Sequence, residues 1–552
     1  MMNTPSARVP VRSLASLLDD SVARFATAPA MDFLGRRWTY AELGDLVERA
    51  AEGFRFLGVR KGVRVGLCLH NTPSFVICYL ANLTAGGIVV NYNPLYVERE
   101  LAHQVADSGT TLMVTLDLRQ IYPKVAALLD GTCLERVVVC PMRDILPPVK
   151  SLMFQVLKRS ELADIPDDLR HVPFSRLVGG GRFSGADTTD PLTDLAVLQY
   201  TGGTTGVPKG AMLTHANLTA NVEQIRCVLD GAALRDERML CVLPFFHVFA
   251  MTVAMNFGIA AGAELILLPR FELDQVMRVM AKKRPTLFPG VPTIYTAINN
   301  AARRGRFDLS SIRFCISGGA PLPIEVRLEF ERLTGCRLVE GYGLSEASPV
   351  VTCNPVDGSA PVGSIGRAVA DTLVEIHSTD QPGVKLGVGE RGEVCVRGPQ
   401  VMAGYWQRPE DTAAVMTDGA LRTGDVGYVD ENGFIFLVDR IKDLILCGGY
   451  NVYPRTIEEA LYRHPAVAEA VVIGIPDPYR GQAPKAFVRL REGSAATPEE
   501  IRHFLADHLS RIEMPKAIEI RDQLPKTMIG KLSKKELVAE EQAKTDGGRA
   551  AG

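Results

Sequence analysis

The first 345 or so residues switch repeatedly between short β-branched runs and segments of helix length. RVGLCLHN, SFVICYLANLTAGG, IVVNYN, ERELAHQVADSG, TLMVTL, YPKVAALLDG and LERVVVC follow one another. Such alternation calls for parallel strands joined by crossover helices. It resumes in LDQVMRVMAKKRP, where Leu273, Val276, Met277 and Met280 fall at i, i+3, i+4 and i+7 on one helix face. The expected fold is therefore α/β, with parallel sheets through roughly residue 345. A chain of 552 residues exceeds the size at which a single core stops growing, so more than one domain is required.

From about 361 to 440 the texture changes to short strands such as TLVEIHS, GEVCVRG and GFIFLVD between Gly, Asn and Pro turns, which reads as a barrel-like subdomain. After Lys442 comes a smaller α+β unit, with IEEALYRH and TPEEIRHFLADHL as helices and AVVIGIP and KAFVRL as strands. The expected boundaries are 1–438 for the large domain, 439–443 for a hinge, 444–540 for the small domain and 541–552 for a disordered tail. The apolar run 250 to 268 contains Asn256 and Glu264, so it reads as a buried helix followed by a strand rather than a membrane span. A formal charge of −2 gives no sign of a nucleic-acid partner, and eleven scattered cysteines without a CxxC pair suggest neither zinc nor a disulfide framework. The N-terminal stretch lacks a signal-peptide pattern, so a cytoplasmic protein is expected.

Three strand-like runs end in loops of small residues: LAVLQY into TGGTTGVPKG (201 to 210), IRFCI into SGGAPLP (317 to 323) and RLVEG into YGLSEASP (342 to 349). Ligands bind beyond the carboxyl ends of strands in open α/β sheets, so the three loops are candidates to line one crevice. In the first, glycines let backbone N–H groups close around phosphate oxygens, while Thr201, Thr204 and Thr205 add hydroxyls and Lys209 adds charge. It is not a Walker A loop, because Pro208 precedes the lysine and Gly210 follows it. A plain surface turn rarely concentrates Gly, Thr and Lys directly after an apolar strand.

YTGGTTGVPKGAMLTH closely resembles the phosphate loop of the adenylate-forming superfamily of acyl-CoA synthetases, luciferases and peptide-synthetase adenylation domains. GYGLSEASP, RTGDVGYVDENG (422 to 433), DRIKDLILCGGYNVYP (439 to 454) and PKTMIGKL (525 to 532) resemble its later motifs, in order and over nearly the whole chain. The resemblance implies an ATP site made by Thr201, Gly202, Gly203, Thr204, Thr205, Gly206, Lys209, Gly318, Gly319, Ala320, Gly341, Tyr342, Gly343, Ser345, Asp425 and Arg440. Asp425 would bind the ribose hydroxyls, Arg440 would reach toward the phosphates, and Thr204 and Glu346 would help to hold Mg2+. Lys531 would be the catalytic lysine, Lys442 the hinge pivot, and Gly448, Gly449 and Tyr450 the segment presented to coenzyme A. No triad is needed, since the attacking carboxylate is ionised at neutral pH. The difficulty is charge, which falls to Lys531 and Mg2+.

NYNPLYVERELAHQ and LPFFHVFAM most resemble bacterial long-chain fatty-acid CoA ligases, which implies a fatty acid, ATP and CoA as partners. Phe245, His247 and Phe249 are candidate acyl-site residues, although most of that segment could equally be core. A medium-chain acid or a dicarboxylate, an acyl-AMP ligase loading a carrier protein, and a catalytically silent lipid-binding protein are the rivals. Val149, Leu152, Met153, Val156 and Leu157 form one stripe near Lys150, Lys158 and Arg159. It reads either as an interfacial helix docking on the inner face of a membrane or as a helix packed on its own domain. A homodimer is a further partner to test.

Overall fold

Arg64–Cys68, Ile88–Asn91, Leu112–Leu116 and Arg136–Cys140 are buried almost throughout, as strands covered on both faces must be. The computed structural model describes residues 9–185, 188–201, 208–229, 234, 236–305, 307–381, 383–447, 450–527 and 532–549. Those four strands lie in a seven-stranded sheet ordered His171–Pro173, Arg136–Cys140, Leu112–Leu116, Arg64–Cys68, Ile88–Asn91, Leu195–Thr201, Lys209–Thr214. All neighbours are parallel except the last pair, whose antiparallel strands flank the glycine-rich segment.

A nine-stranded sheet runs from Arg367–Ala368 through Val350–Cys353, Arg337–Gly343, Phe314–Ser317, Leu287–Gly290, Arg238–Cys241, Glu264–Leu267 and Pro29–Phe33 to Arg36–Thr39. It therefore continues beyond residue 345 by two antiparallel strands, because the short connection from Gly343 to Val350 cannot hold a crossover helix. The apolar run from 250 is helical through Ala260, with a π turn over Met251–Asn256, and leads into the strand Glu264–Leu267. Asn91 donates to Gln199 Oε1 at 3.0 Å, and Gln199 donates to the Phe246 carbonyl at 3.0 Å, so the strand feeding the glycine-rich loop is tied to this buried region.

The subdomain expected to be barrel-like takes the form of a five-stranded antiparallel sheet, Leu373–His377, Gly392–Arg397, Ala420–Val429 and Met416–Thr417, with Ile435–Arg440 paired to the long strand. The small domain has a five-stranded sheet of its own and its own apolar clusters, one around Ile457, Val472 and Ile501 and another around Phe487 and Leu537. Its last helix, Lys534–Arg549, extends into the region expected to be a disordered tail. Leu537 is buried, and Glu541 pairs with Lys485 at 2.9 Å and Lys544 at 2.7 Å, partners that the tail's own composition does not reveal.

The helix Pro148–Leu157 has no buried residue, which removes the reading that its stripe packs on the domain. Val149, Leu152, Met153, Val156 and Leu157 are 53% to 72% exposed. Among the described residues no helix is long and apolar enough to cross a membrane.

Candidate active site

Phe314–Ser317 and Arg337–Gly343 are adjacent parallel strands with Ser317 opposite Glu340, so the loops that follow them emerge side by side. Gly319 has φ +81°, a backbone that a side chain would strain. At Gly343 a Cβ would lie 1.9 Å from the Pro349 carbonyl oxygen, so the 344 to 349 turn closes only over a glycine. The same test at Gly318 places a Cβ 3.1 Å from the Phe249 ring and 3.5 Å from the Gly341 carbonyl. Phe249 therefore faces this site. His247 begins the same short helix, its Nδ1 accepting the Phe249 N–H at 3.3 Å. Phe245 differs: it is fully buried, 5.6 Å from the Phe75 ring, in the turn closed by the His247 N–H on the Pro244 carbonyl just before this helix.

Asp425 and Arg440 stand opposite each other on paired antiparallel strands, which puts Arg440 Nε 3.1 Å from Asp425 Oδ1. Tyr342 donates its hydroxyl to Asp425 Oδ2 at 2.6 Å, joining the adenine motif to the ribose motif. Burial and the neighbouring carboxylate hold the Tyr342 phenol well above its ordinary range, so it remains a donor. The Thr423–Gly424 irregularity in the strand that presents Asp425 is held by Glu393, which accepts from Gly424 N–H at 3.1 Å and from Arg422 at 2.8 Å.

On the phosphate side, Thr201 ends its strand beside Lys209, whereas Gly202, Gly203, Thr204, Thr205 and Gly206 lie outside the described residues. Lys209 Nζ contacts Asp411 Oδ1 at 2.5 Å and lies 5.4 Å from the centre of the Tyr405 ring. Ser345 and Glu346 form a 3-10 turn with Ala347, and Glu346 Oε1 accepts the Tyr405 hydroxyl at 2.8 Å. A cavity of about 240 Å³ touches Glu346, Glu393, Tyr405, Arg422, Thr423 and Gly424, with Leu344, Val415 and Leu421 among its remaining walls. Glu346 brings to it a carboxylate of the kind that Mg2+ accepts when a nucleotide supplies the remaining ligands, while the Glu393 carboxylate is taken up by Arg422. Sequence reasoning missed Tyr405, Asp411 and Glu393. The aromatic and charged run GYWQRPED was the available signal.

A second cavity, apolar and of about 50 Å³, has Ile225, Val253, Phe257, Phe314, Ile316 and Val339 among its walls. Three of these lie on the same two strands whose ends carry the loops expected to enclose adenine. Lys442 is exposed in the 3-10 turn Ile441–Asp443. Partial burial, with the Arg440 guanidinium, holds its ammonium below the usual lysine range. Lys531, Gly448 and Gly449 lie outside the described residues, and Tyr450 begins the strand Tyr450–Val452.

The model of the AMP-binding enzyme family matches residues 18–406 of this chain, and that of the AMP-binding enzyme C-terminal domain matches residues 456–531. The chain belongs to the AMP-binding enzyme family. Among AMP-binding enzymes it is 42% identical to a long-chain-fatty-acid--CoA ligase of Bacillus subtilis (strain 168) over 544 residues, 97% of this chain and 95% of that protein. A feruloyl-CoA synthase of Amycolatopsis sp is 35% identical over 517 residues, 92% of this chain and 95% of that one. Its fold also matches the crystal structure of ATP-bound MatB from Rhodopseudomonas palustris, with TM-score 0.82 and 29% identity over 95% of this chain and 98% of that one.

Proposed function

We propose that this AMP-binding enzyme joins a fatty acid, long-chain by preference, to coenzyme A through an acyl-adenylate, releasing AMP and pyrophosphate. One observation carries the reading: Phe314–Ser317 and Arg337–Gly343 carry the adenine loops at their ends and the apolar cavity wall on their flanks. An alkyl chain in that cavity would bring its carboxylate to the nucleotide. The fatty-acid ligase among the relatives supports the acyl class, and the cavity beside Glu346, with Lys209 held nearby, supports the triphosphate.

In this reading Gly318, Gly319, Ala320, Gly341, Tyr342 and Gly343 enclose adenine. Asp425 accepts from the ribose hydroxyls, and Arg440, already paired to Asp425, faces the phosphates. The loop 201 to 206, Lys209 and Ser345 bind the triphosphate. Thr204 and Glu346 would hold Mg2+, which when bound neutralises charge on the phosphates. Lys531 offsets the charge that develops as the acid's carboxylate oxygen bonds to the α-phosphorus and pyrophosphate leaves. Residues 1–438 form the binding domain and 444–540 the small domain, which turns about Lys442 within 439–443. Gly448, Gly449 and Tyr450 then face CoA.

Purified protein with ATP, Mg2+, CoA and a panel of aliphatic, aromatic and dicarboxylic acids is expected to give AMP and a long-chain thioester by mass spectrometry. Acyl-AMP without thioester would favour carrier loading, and no turnover of any acid would favour a silent lipid binder.

The exposed stripe on Pro148–Leu157, with Lys150, Lys158 and Arg159 at its flanks, supports peripheral docking of a cytoplasmic enzyme on an anionic bilayer that holds its substrate. Flotation with anionic liposomes should be lost on Leu152→Asp plus Val156→Asp. Sedimentation without lipid that reports a dimer abolished by the same pair would instead assign the face to a second copy of the chain.

A further inference from the structure

The segment 402 to 411 belongs to none of the motifs that mark the nucleotide site, yet it touches two of the charged groups assigned to the phosphates. Its backbone runs as an added rung beside Lys209–Thr214, the strand that leaves the phosphate loop. Met212 donates to the Gly404 carbonyl at 2.9 Å, Ala403 to Met212 at 2.9 Å and Trp406 to Gly210 at 2.8 Å, with Ala211 and Tyr405 forming an antiparallel bridge. On its other side the Met402 N–H donates to the backbone carbonyl of Glu346 at 2.8 Å.

Side chains repeat this bridging. Tyr405 holds the Glu346 carboxylate at 2.8 Å, and Asp411 holds Lys209 at 2.5 Å. Trp406 and Arg408 grip Asp107, at its carbonyl (3.2 Å) and its carboxylate (3.0 Å). The second oxygen of that carboxylate accepts the hydroxyl of Tyr200, the residue before Thr201, at 2.6 Å. Both ends of the phosphate loop and the Glu346 carboxylate are thus referenced to one short stretch of chain. Lys209 and Glu346 come from separate elements, so their separation has to be set by contacts that reach both.

We propose that residues 402 to 411 act as a strap that positions the phosphate-binding groups, with Tyr405 aiming the Glu346 carboxylate and Asp411 presetting Lys209. Tyr405 and Asp411 are positioning residues in this assignment, which rests on the adenylation reading. Tyr405 is 8% exposed, and burial beside Glu346 keeps its phenol protonated and able to donate. Phenylalanine there keeps the ring against Lys209 and removes only the donor.

The test is Mn2+ binding followed by electron paramagnetic resonance on the full chain with α,β-methylene-ATP. Tyr405→Phe is expected to weaken Mn2+ binding about five- to tenfold without changing binding of the analogue in EDTA. In Glu346→Gln the same substitution should add almost nothing, because the two act as a unit. Unchanged Mn2+ binding in Tyr405→Phe would overturn the assignment, as would fully additive losses. Asp411→Asn, on the exposed helix Pro409–Val415, gives a second reading: ATP should bind several-fold more weakly and AMP equally well. Equal ATP affinity would refute the role of Asp411. None of these readouts requires turnover, so failure of the enzyme to make acyl-AMP would count against the proposed function and leave the strap to be judged separately.

Discussion

The large and small domains hold their charges in opposite ways. In the large domain the charged groups of the pocket are paired before any substrate arrives: Asp425 with Tyr342 and Arg440, Glu346 with Tyr405, Lys209 with Asp411. Asp425 and Arg440 are set opposite each other by strand register, whereas Glu346 is placed by a 3-10 turn and Asp411 by the helix Pro409–Val415. The small domain spends its ion pairs on its own sheet, as Lys485 with Glu519 and Glu541, and Glu469 with Arg489 and Lys526. Among the described residues, two of its polar ties run to the hinge: the Asp439 carboxylate accepts the Arg455 N–H at 2.8 Å, and Lys534 stands 3.5 Å from Asp443. If the small domain carries the catalytic lysine as proposed, the binding surface and the carrier of that lysine should be separable by mutation.

The largest expected separation comes from Lys531→Ala. Adenylation should fall by about 10²- to 10³-fold, the loss typical of one preorganised charge-stabilising donor, with ATP affinity nearly unchanged. Asp425→Asn should do the reverse. It removes an ionic acceptor for the ribose and leaves Arg440 without its partner, at about 1.5–3 kcal/mol, so ATP should bind roughly tenfold or more weakly. Calorimetric ATP binding beside pyrophosphate exchange checks both. Equal losses of binding and rate in either variant would break the division.

Glu340 tests the tie between domains through pH. It lies on the strand that leads into the adenine motif, and burial pushes its carboxyl up to about 7 against the pull of Arg455 in the small domain. The folded state therefore keeps a proton that the unfolded state releases between about pH 4.5 and 7, and stability should fall as pH rises through that window. The shift corresponds to roughly 3 kcal/mol at full burial. The side chain keeps some solvent access, so about 1–2 kcal/mol is the expected size. Glu340→Gln should flatten the profile of urea midpoint against pH, and Arg455→Ala should steepen it. Parallel profiles in all three proteins would show that Glu340 does not titrate in this range.

The residues that meet around Tyr342 and Asp425 were legible because they stand in contiguous motifs: the GYG and TGD runs each put their candidate residues within a few positions. Asp425 and Arg440 were legible singly, although only the strand register makes them a pair. Tyr405, Asp411 and Glu393 were not, because each gains its meaning from a partner far away in sequence, such as Glu346 for Tyr405. The same reason hid the order of the last helix, whose Glu541 answers to Lys485. Sequence left Phe245 open between acyl site and core, because an aromatic run looks alike whether it faces a ligand or a core.

The smallest expected effect concerns where the two strands shared by nucleotide and cavity limit the alkyl chain. Val339 lies between the cavity and the adenine motif on Arg337–Gly343, and Phe314 and Ile316 face the same space from the next strand. Enlarging Val339 to Phe fills part of a cavity of about 50 Å³ without touching a group that binds the nucleotide. Each methylene excluded from the cavity forfeits about 0.8 kcal/mol, roughly a fourfold loss in kcat/KM. Selectivity should therefore move toward shorter acids by a few-fold per carbon, with the KM for ATP unchanged. If Val339→Phe lowers kcat/KM equally for every chain length, the cavity does not hold the alkyl tail. If it raises the KM for ATP instead, cavity and nucleotide site are mechanically coupled, and the large domain is less rigid than its paired charges imply.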